Sequence, residues 1–169
     1  MNARQLALCG VFAALAVTLM LLGGLVPFAT YVCPMLASVL LIPLLEEVPR
    51  GLCWGWYLVV ALLAGLFCPD REAAFIFVFL GWYPILKPAL ERLPRLARLV
   101  VKLLIFNAAI AAAYALLIFV FRLEALIQEA EEMGTLLLIA LLFLGNLSFL
   151  LFDRLLQLLP VIYRSRKKR

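Results

Sequence analysis

The sequence predicts an all-α membrane protein, a bundle of six transmembrane helices with both termini on the cytoplasmic side. Two observations carry that expectation. Hydrophobic residues make up 67% of the 169-residue chain and charged residues 15%, against about 45–50% apolar in an ordinary soluble domain. The charged residues fall into clusters separated by six apolar stretches, each near the roughly 20 residues that a spanning helix needs.

The basic residues set the expected orientation. With the N-terminus inside, the inner face receives Arg4, Arg50, Lys87, Arg92, Arg95, Arg98, Lys102, Arg154, Arg164, Arg166, Lys167, Lys168 and Arg169. Those are thirteen of the fifteen basic residues, and Arg71 and Arg122 alone fall outside. Lys and Arg are retained in cytoplasmic loops, so the asymmetry orients the chain. Thirteen bases and four acids (Glu46, Glu47, Glu91, Asp153) put +9 inside, while two bases and six acids (Asp70, Glu72, Glu124, Glu129, Glu131, Glu132) put −4 outside. A basic inner face suits anionic headgroups of the bilayer or an acidic cytoplasmic partner. The net +5 is therefore a membrane signature and not one of nucleic-acid binding.

The first span, residues 6–26, carries no charge. It is too long for a signal-peptide apolar region and no small-x-small cleavage site follows, so it reads as an uncleaved helix. Residues 28–45 form the second span, with Pro34 and Pro43 inside it. A re-entrant segment here would turn the basic cluster from Lys87 to Lys102 outward, so the charge rule favours a full crossing. Residues 51–67 make the third span, with Trp54, Trp56 and Tyr57 near its start, where amphipathic rings favour the interface.

The fourth span, residues 73–90, contains Pro84 and Pro88, each of which removes a helical donor and kinks the chain. Lys87, four residues before Glu91, is expected to snorkel to the inner headgroups. Its run Gly81-Trp82-Tyr83-Pro84-Ile85-Leu86-Lys87-Pro88 looks like a hallmark without an evident role. Residues 99–121 and 133–152 form the fifth and sixth spans, free of internal proline, and the sixth is expected to continue as a partly apolar helix toward Pro160. Between them, Leu123, Leu126, Ile127 and Ala130 follow helical spacing, as expected of an amphipathic connection. The basic tail covers residues 161–169.

The chain forms one domain, with no room for a soluble catalytic module. It has no histidine, which removes the commonest general base and metal ligand. No phosphate-binding loop, nucleophile elbow or zinc-protease motif is present. The charges are expected to cling to the span ends, so neither an enzyme nor a resident cofactor is anticipated. Cys33 and Cys68, each followed by proline, face the oxidising side and could be bridged. The simpler reading makes them small apolar packing residues.

Two constellations point toward binding. Asn107 and Asn146 fall near mid-depth of the fifth and sixth spans. They are expected to bond each other or a backbone carbonyl and lock those helices together. Alternatively they floor an outward-open pocket with Tyr114 above them and Phe28, Thr30 and Tyr31 at its rim. On the first helix Ala3, Ala7, Gly10, Ala14 and Thr18 recur at spacings of four, three, four and four, a stripe that lets another helix approach. Glu46 and Glu47 supply the concentrated negative charge on the inner face and are candidates to receive a partner's arginines.

A small six-span protein with both ends inside and the Ala3-x-x-x-Ala7 spacing on its first helix resembles the substrate-binding S component of an energy-coupling factor transporter. The resemblance implies a micronutrient ligand held near the outer face, under loops that include the one between the first two helices. It also implies a transmembrane coupling subunit that docks on the first helix, two cytoplasmic ATPases, and a bacterial plasma membrane. Ala3 and Ala7 match that family's small-residue motif, and Phe28 to Tyr31 matches its loop by position. The size and six-helix layout also resemble membrane scaffold proteins of the MreD type, which imply a working inner face and no ligand pocket.

The orientation is checked by labelling single cysteines placed beside Arg95 and beside Lys167 in an otherwise cysteine-free protein. Both are expected to react from the same side of the membrane.

Overall fold

A computed structural model describes residues 2–23, 29–119 and 124–167. Among them the regular structure is helical: α1 (Ala3–Gly23), α2 (Ala29–Val39), α3 (Leu41–Glu47), α4 (Arg50–Phe67), α5 (Arg71–Leu80), α6 (Tyr83–Leu90), α7 (Arg95–Phe119) and α8 (Glu124–Lys167). These form six helices long and apolar enough to cross a membrane. The second is α2 with α3 and the fourth is α5 with α6, running Ala29–Glu47 and Arg71–Leu90.

The two interruptions have the same cause. A proline ring collides with the carbonyl four residues back and offers it no N–H. Pro43 stands four residues after Val39, where α2 ends, and Pro84 four after Leu80, where α5 ends. Each helix therefore stops at the carbonyl that its proline blocks, and a new helix starts at once.

Side chains secure the helix starts. The α1 N-terminus is capped at Asn2, whose carbonyl takes the Gln5 and Leu6 amides while the Gln5 side chain accepts from the Asn2 amide at 3.4 Å, the returning half of a capping box. Asp70 caps α5 by accepting from the Ala73 amide at 3.1 Å. Thr30, in the first turn of α2, donates to the other Asp70 oxygen at 2.8 Å, which ties α2 to the same cap. At that end of the bundle α1 and α2 touch closely. A Cβ on Gly23 would lie 2.8 Å from the Cys33 side chain, so glycine is needed there.

The larger core cluster joins α1, α2, α3, α4 and α5 through Ala16, Met20, Leu41, Leu44, Trp56, Val60 and Phe77. A second cluster, built on Ile42, Tyr83, Leu90, Phe106, Phe149 and Leu156, brings α7 and α8 against α3 and α6. Its centre is aromatic. Phe149 meets Tyr83 edge-on at 5.0 Å and stacks on Phe106 at 4.7 Å, geometries that favour ring pairs beyond their buried area.

The sixth span begins at Gly134 and runs to Val161, taking in the partly apolar extension expected toward Pro160. Gly134 has φ 71° inside α8, a left-handed conformation that glycine adopts without penalty. Beyond it α8 packs sparingly: Leu136 is 86% exposed and Phe143 71%. Exposed apolar side chains on this scale fit a helix long and apolar enough to cross a membrane.

The span ends do not hold all the charges. Lys87, Lys102 and Asp153 are 6%, 3% and 5% exposed, which corrects the expectation that charges cling to the ends. Lys87 does not snorkel. Its ammonium bonds the Asp153 carboxylate and donates to the Asp153 backbone carbonyl at 2.7 Å. Lys102 reaches the second carboxylate oxygen at 2.6 Å, and the Tyr83 hydroxyl donates to the first at 2.6 Å. A counter-charge on a neighbouring helix, within reach of a lysine, outcompetes a stretch toward headgroups because both ions are then paired inside the bundle.

Removing Asp153 strands two buried ammonium groups. Asp153→Asn is expected to cost about 3–5 kcal/mol, the usual penalty for breaking a buried ion pair from one side. The triple variant Lys87→Met, Lys102→Met, Asp153→Leu is expected to recover most of it. Thermal unfolding in detergent micelles measures both.

Candidate functional site

The described residues line a partly open cavity of about 520 Å³ between α2, α5, α7 and α8. This lies within the roughly 300–1,000 Å³ range of small-molecule sites. Its walls are mostly aliphatic, from Ile76 and Leu80 on α5 to Ile110 on α7 and Leu141 on α8. On α7 the lining runs from Phe106 to Ile118, and the eight residues from Phe106 to Tyr114 span on the order of 12 Å at about 1.5 Å per residue.

Apart from Ser148, the polar residues of the lining gather at one end. Tyr31 comes from the first turns of α2, Glu72 from the start of α5 and Tyr114 from α7. The Tyr31 hydroxyl donates to Glu72 Oε1 at 2.8 Å, and the Tyr114 hydroxyl donates to the same oxygen. The two hydroxyls lie 2.9 Å apart. All three residues line the cavity, and Glu72 is the one charged residue in the described lining. Two phenol donors hold the carboxylate in place, since charge-assisted bonds of this kind are short and strong. The Asp70 cap positions this end of α5, and through Thr30 the beginning of α2.

The predicted site residues thus divide. Tyr31 and Tyr114 meet at the cavity. Thr30 stands beside it as the partner of Asp70, and Phe28 lies outside the described residues. Asn107 and Asn146 do not floor the pocket. They form a reciprocal pair, Asn107 Nδ2 to Asn146 Oδ1 at 2.8 Å and Asn146 Nδ2 to Asn107 Oδ1 at 3.2 Å. Each amide also donates to the carbonyl four residues earlier on its own helix, Leu103 and Leu142, at 2.8 Å. The pair is half-buried and is a bolt between α7 and α8. Once each amide is satisfied by the other, neither has reason to turn toward the cavity.

Ala3, Ala7, Gly10, Ala14 and Thr18 are all exposed on α1, and a Cβ on Gly10 would meet nothing within 4 Å. The stripe therefore faces away from the bundle. Glu46 and Glu47 are half-buried at the end of α3, where the Glu47 carbonyl accepts from the Gln5 side chain at 3.1 Å. That bond joins the foot of α1 to the only adjacent pair of acids on this end of α3.

Cys33 and Cys68 are free thiols. Cys68 is buried and sits 3.4 Å from the Met20 carbonyl. Burial pushes its thiol above the ordinary range, which disfavours the reactive thiolate. Among the described residues no group of three or more His, Cys, Asp or Glu could hold a metal ion.

Sequence reasoning passed over Glu72, counting it only as an outer charge, and the Asp153 cluster. The second left a signal. Tyr83 and Lys87 are one helical turn apart, and Lys102 and Asp153 each stand inside an apolar run; opposite charges inside spans call for one another. The Gly81–Pro88 segment thereby acquires a role, since it carries two of the four groups that meet. No protein-family profile, curated protein or solved structure matches this chain.

The amide bolt is testable by a double-mutant cycle on Asn107→Ala and Asn146→Ala. Each single change is expected to cost about 0.6–1.7 kcal/mol, the range for interhelical hydrogen bonds within a membrane. The double change is expected to cost less than the sum.

Proposed function

We propose that this chain is the ligand-capturing membrane subunit of a multi-component importer of the energy-coupling-factor type. It takes a small molecule from the outer side of a bacterial plasma membrane and passes it inward with a coupling subunit and two cytoplasmic ATPases. The observation that carries the reading is the 520 Å³ cavity with Tyr31, Glu72 and Tyr114 at one end. Apolar walls with a few convergent polar groups are the makings of a small-molecule site. Under the charge-derived topology Glu72, and with it the charged end of the cavity, lies toward the outer side. A scaffold of the MreD type has no use for such a cavity.

The exposed small-residue stripe of α1 supports the second half of the proposal. A helix from a coupling subunit can approach closely along Ala3, Ala7, Gly10 and Ala14, where no side chain of this bundle intervenes. Glu46 and Glu47, held at the foot of α1 through Gln5, would face basic groups of that partner. No phosphate-binding loop occurs in the chain, so energy from ATP would enter through the partners. Ligand binding in this scheme is passive, and reorientation of the bundle against the coupling subunit delivers the cargo.

Copurification from native membranes tests the assembly. ATPases with a coupling subunit are the expected companions, and recovery of cell-wall enzymes in their place overturns the proposal. Ala7→Trp is expected to abolish the association while the unfolding midpoint of the isolated bundle is retained, because the indole projects from an exposed face. Intact complexes with this variant would remove α1 as the docking face.

A further inference from the structure

The chemistry of the cavity narrows what it can accept. Its charge is carried by one carboxylate at one end, and the rest of the lining is neutral and chiefly aliphatic or aromatic. No Lys or Arg lines it among the described residues, so an anionic guest would meet Glu72 without compensation. A neutral guest would leave the carboxylate facing an apolar space. The phenol hydroxyls of Tyr31 and Tyr114 are turned onto Glu72, which fixes the carboxylate as acceptor while both rings remain part of the wall. Carboxylate and aromatic faces together are the two features that bind an organic ammonium. The sequence leans the same way, since the segments assigned to the outer side by charge carry six acids against two bases. Such a field gathers cations.

We infer that the ligand is a monovalent organic cation with an apolar body, its ammonium seated against the Tyr31–Glu72–Tyr114 group on the cavity side and its body lying along the aliphatic channel toward Phe106. This rests on the reading of the cavity as a capture site and adds the class of molecule captured. Glu72 supplies the counter-charge, Tyr31 and Tyr114 position it, and the length from Tyr114 to Phe106 sets the reach of the apolar part. A simple metal cation is disfavoured because the lining offers it one carboxylate and few other oxygen donors.

The probes are benzyltrimethylammonium, its uncharged carbon isostere neopentylbenzene, and phenylmethanesulfonate. Binding is measured by equilibrium dialysis of the labelled compounds against the full chain in nanodiscs, with empty discs subtracted. The ammonium compound is expected to bind at least about tenfold more tightly than either other probe, the scale of one partly desolvated cation contact. Glu72→Gln is expected to erase that preference and leave neopentylbenzene binding unchanged, which also shows the cavity intact. Equal or tighter binding of neopentylbenzene or the sulfonate by the unaltered protein overturns the inference. Failure of the ammonium to bind overturns it too, as does a preference that survives Glu72→Gln. Copurification of a coupling subunit and ATPases is indifferent to these results, so a wrong ligand class and a wrong assembly are told apart.

Discussion

The Asp153 carboxylate ties the last three helices of the bundle together. It receives Lys87 and Tyr83 from α6 and Lys102 from α7 while itself standing on α8, so one side chain joins three helices. Glu91, 3.6 Å from Lys87, brings the four ionised groups to neutrality. In a membrane-like interior the hydrophobic effect does little to press one apolar helix on another, and packing and polar bonds must do it instead. α8 shows the consequence, since most of its described side chains are exposed. It is retained by the ion cluster, the Phe149 ring stack and the Asn107–Asn146 pair, all in the half of the helix distant from Gly134.

That uneven attachment makes room for the cavity. Where α8 is bolted, α7 and α8 lie against each other, and the cavity reaches along them only as far as Phe106, Gly145 and Ser148. Beyond Asn146, toward Gly134, α8 contributes Leu138, Leu141 and Leu142 to a wall that α2, α5 and α7 face across an open volume. Polarity is segregated along the same axis. Paired lysines and an aspartate stabilise one end, while a carboxylate held by two phenols occupies the other. The first set is closed, with every charge met by a neighbour; the second borders empty space. A closed network serves architecture and an open one invites a guest, which is why the functional reading rests on Glu72 and not on the more heavily charged cluster.

The proline breaks contribute to both. Because Pro84 ends α5 at Leu80, α6 starts afresh, and its two polar groups, Tyr83 and Lys87, stand one turn apart facing α8. The Pro43 break between α2 and α3 lets Ile42 join the aromatic cluster while Ala37 and Leu41 stay with the larger core. These prolines were visible as kink points in the sequence, and the blocked carbonyls at Val39 and Leu80 follow from elementary backbone geometry. What each fresh helix would then face was not visible.

Number, length and approximate limits of the apolar helices were legible in the amino acids, because solvation by lipid is a local requirement that each stretch meets or fails alone. The need of Asn107 and Asn146 for partners was legible for the same reason, as was the role of Tyr31 and Tyr114 as polar groups near one end of the bundle. Pairing is another matter. Whether Lys87 stretches to a surface or turns to Asp153, 66 residues away, depends on which helices are neighbours, and spacing along the chain does not carry that information. The same holds for Glu72, whose meaning changed from surface charge to cavity anchor only when α2 and α7 delivered two phenols to it. Hydropathy is a sum over adjacent residues, whereas a site is a coincidence of distant ones, and folding alone creates the coincidence.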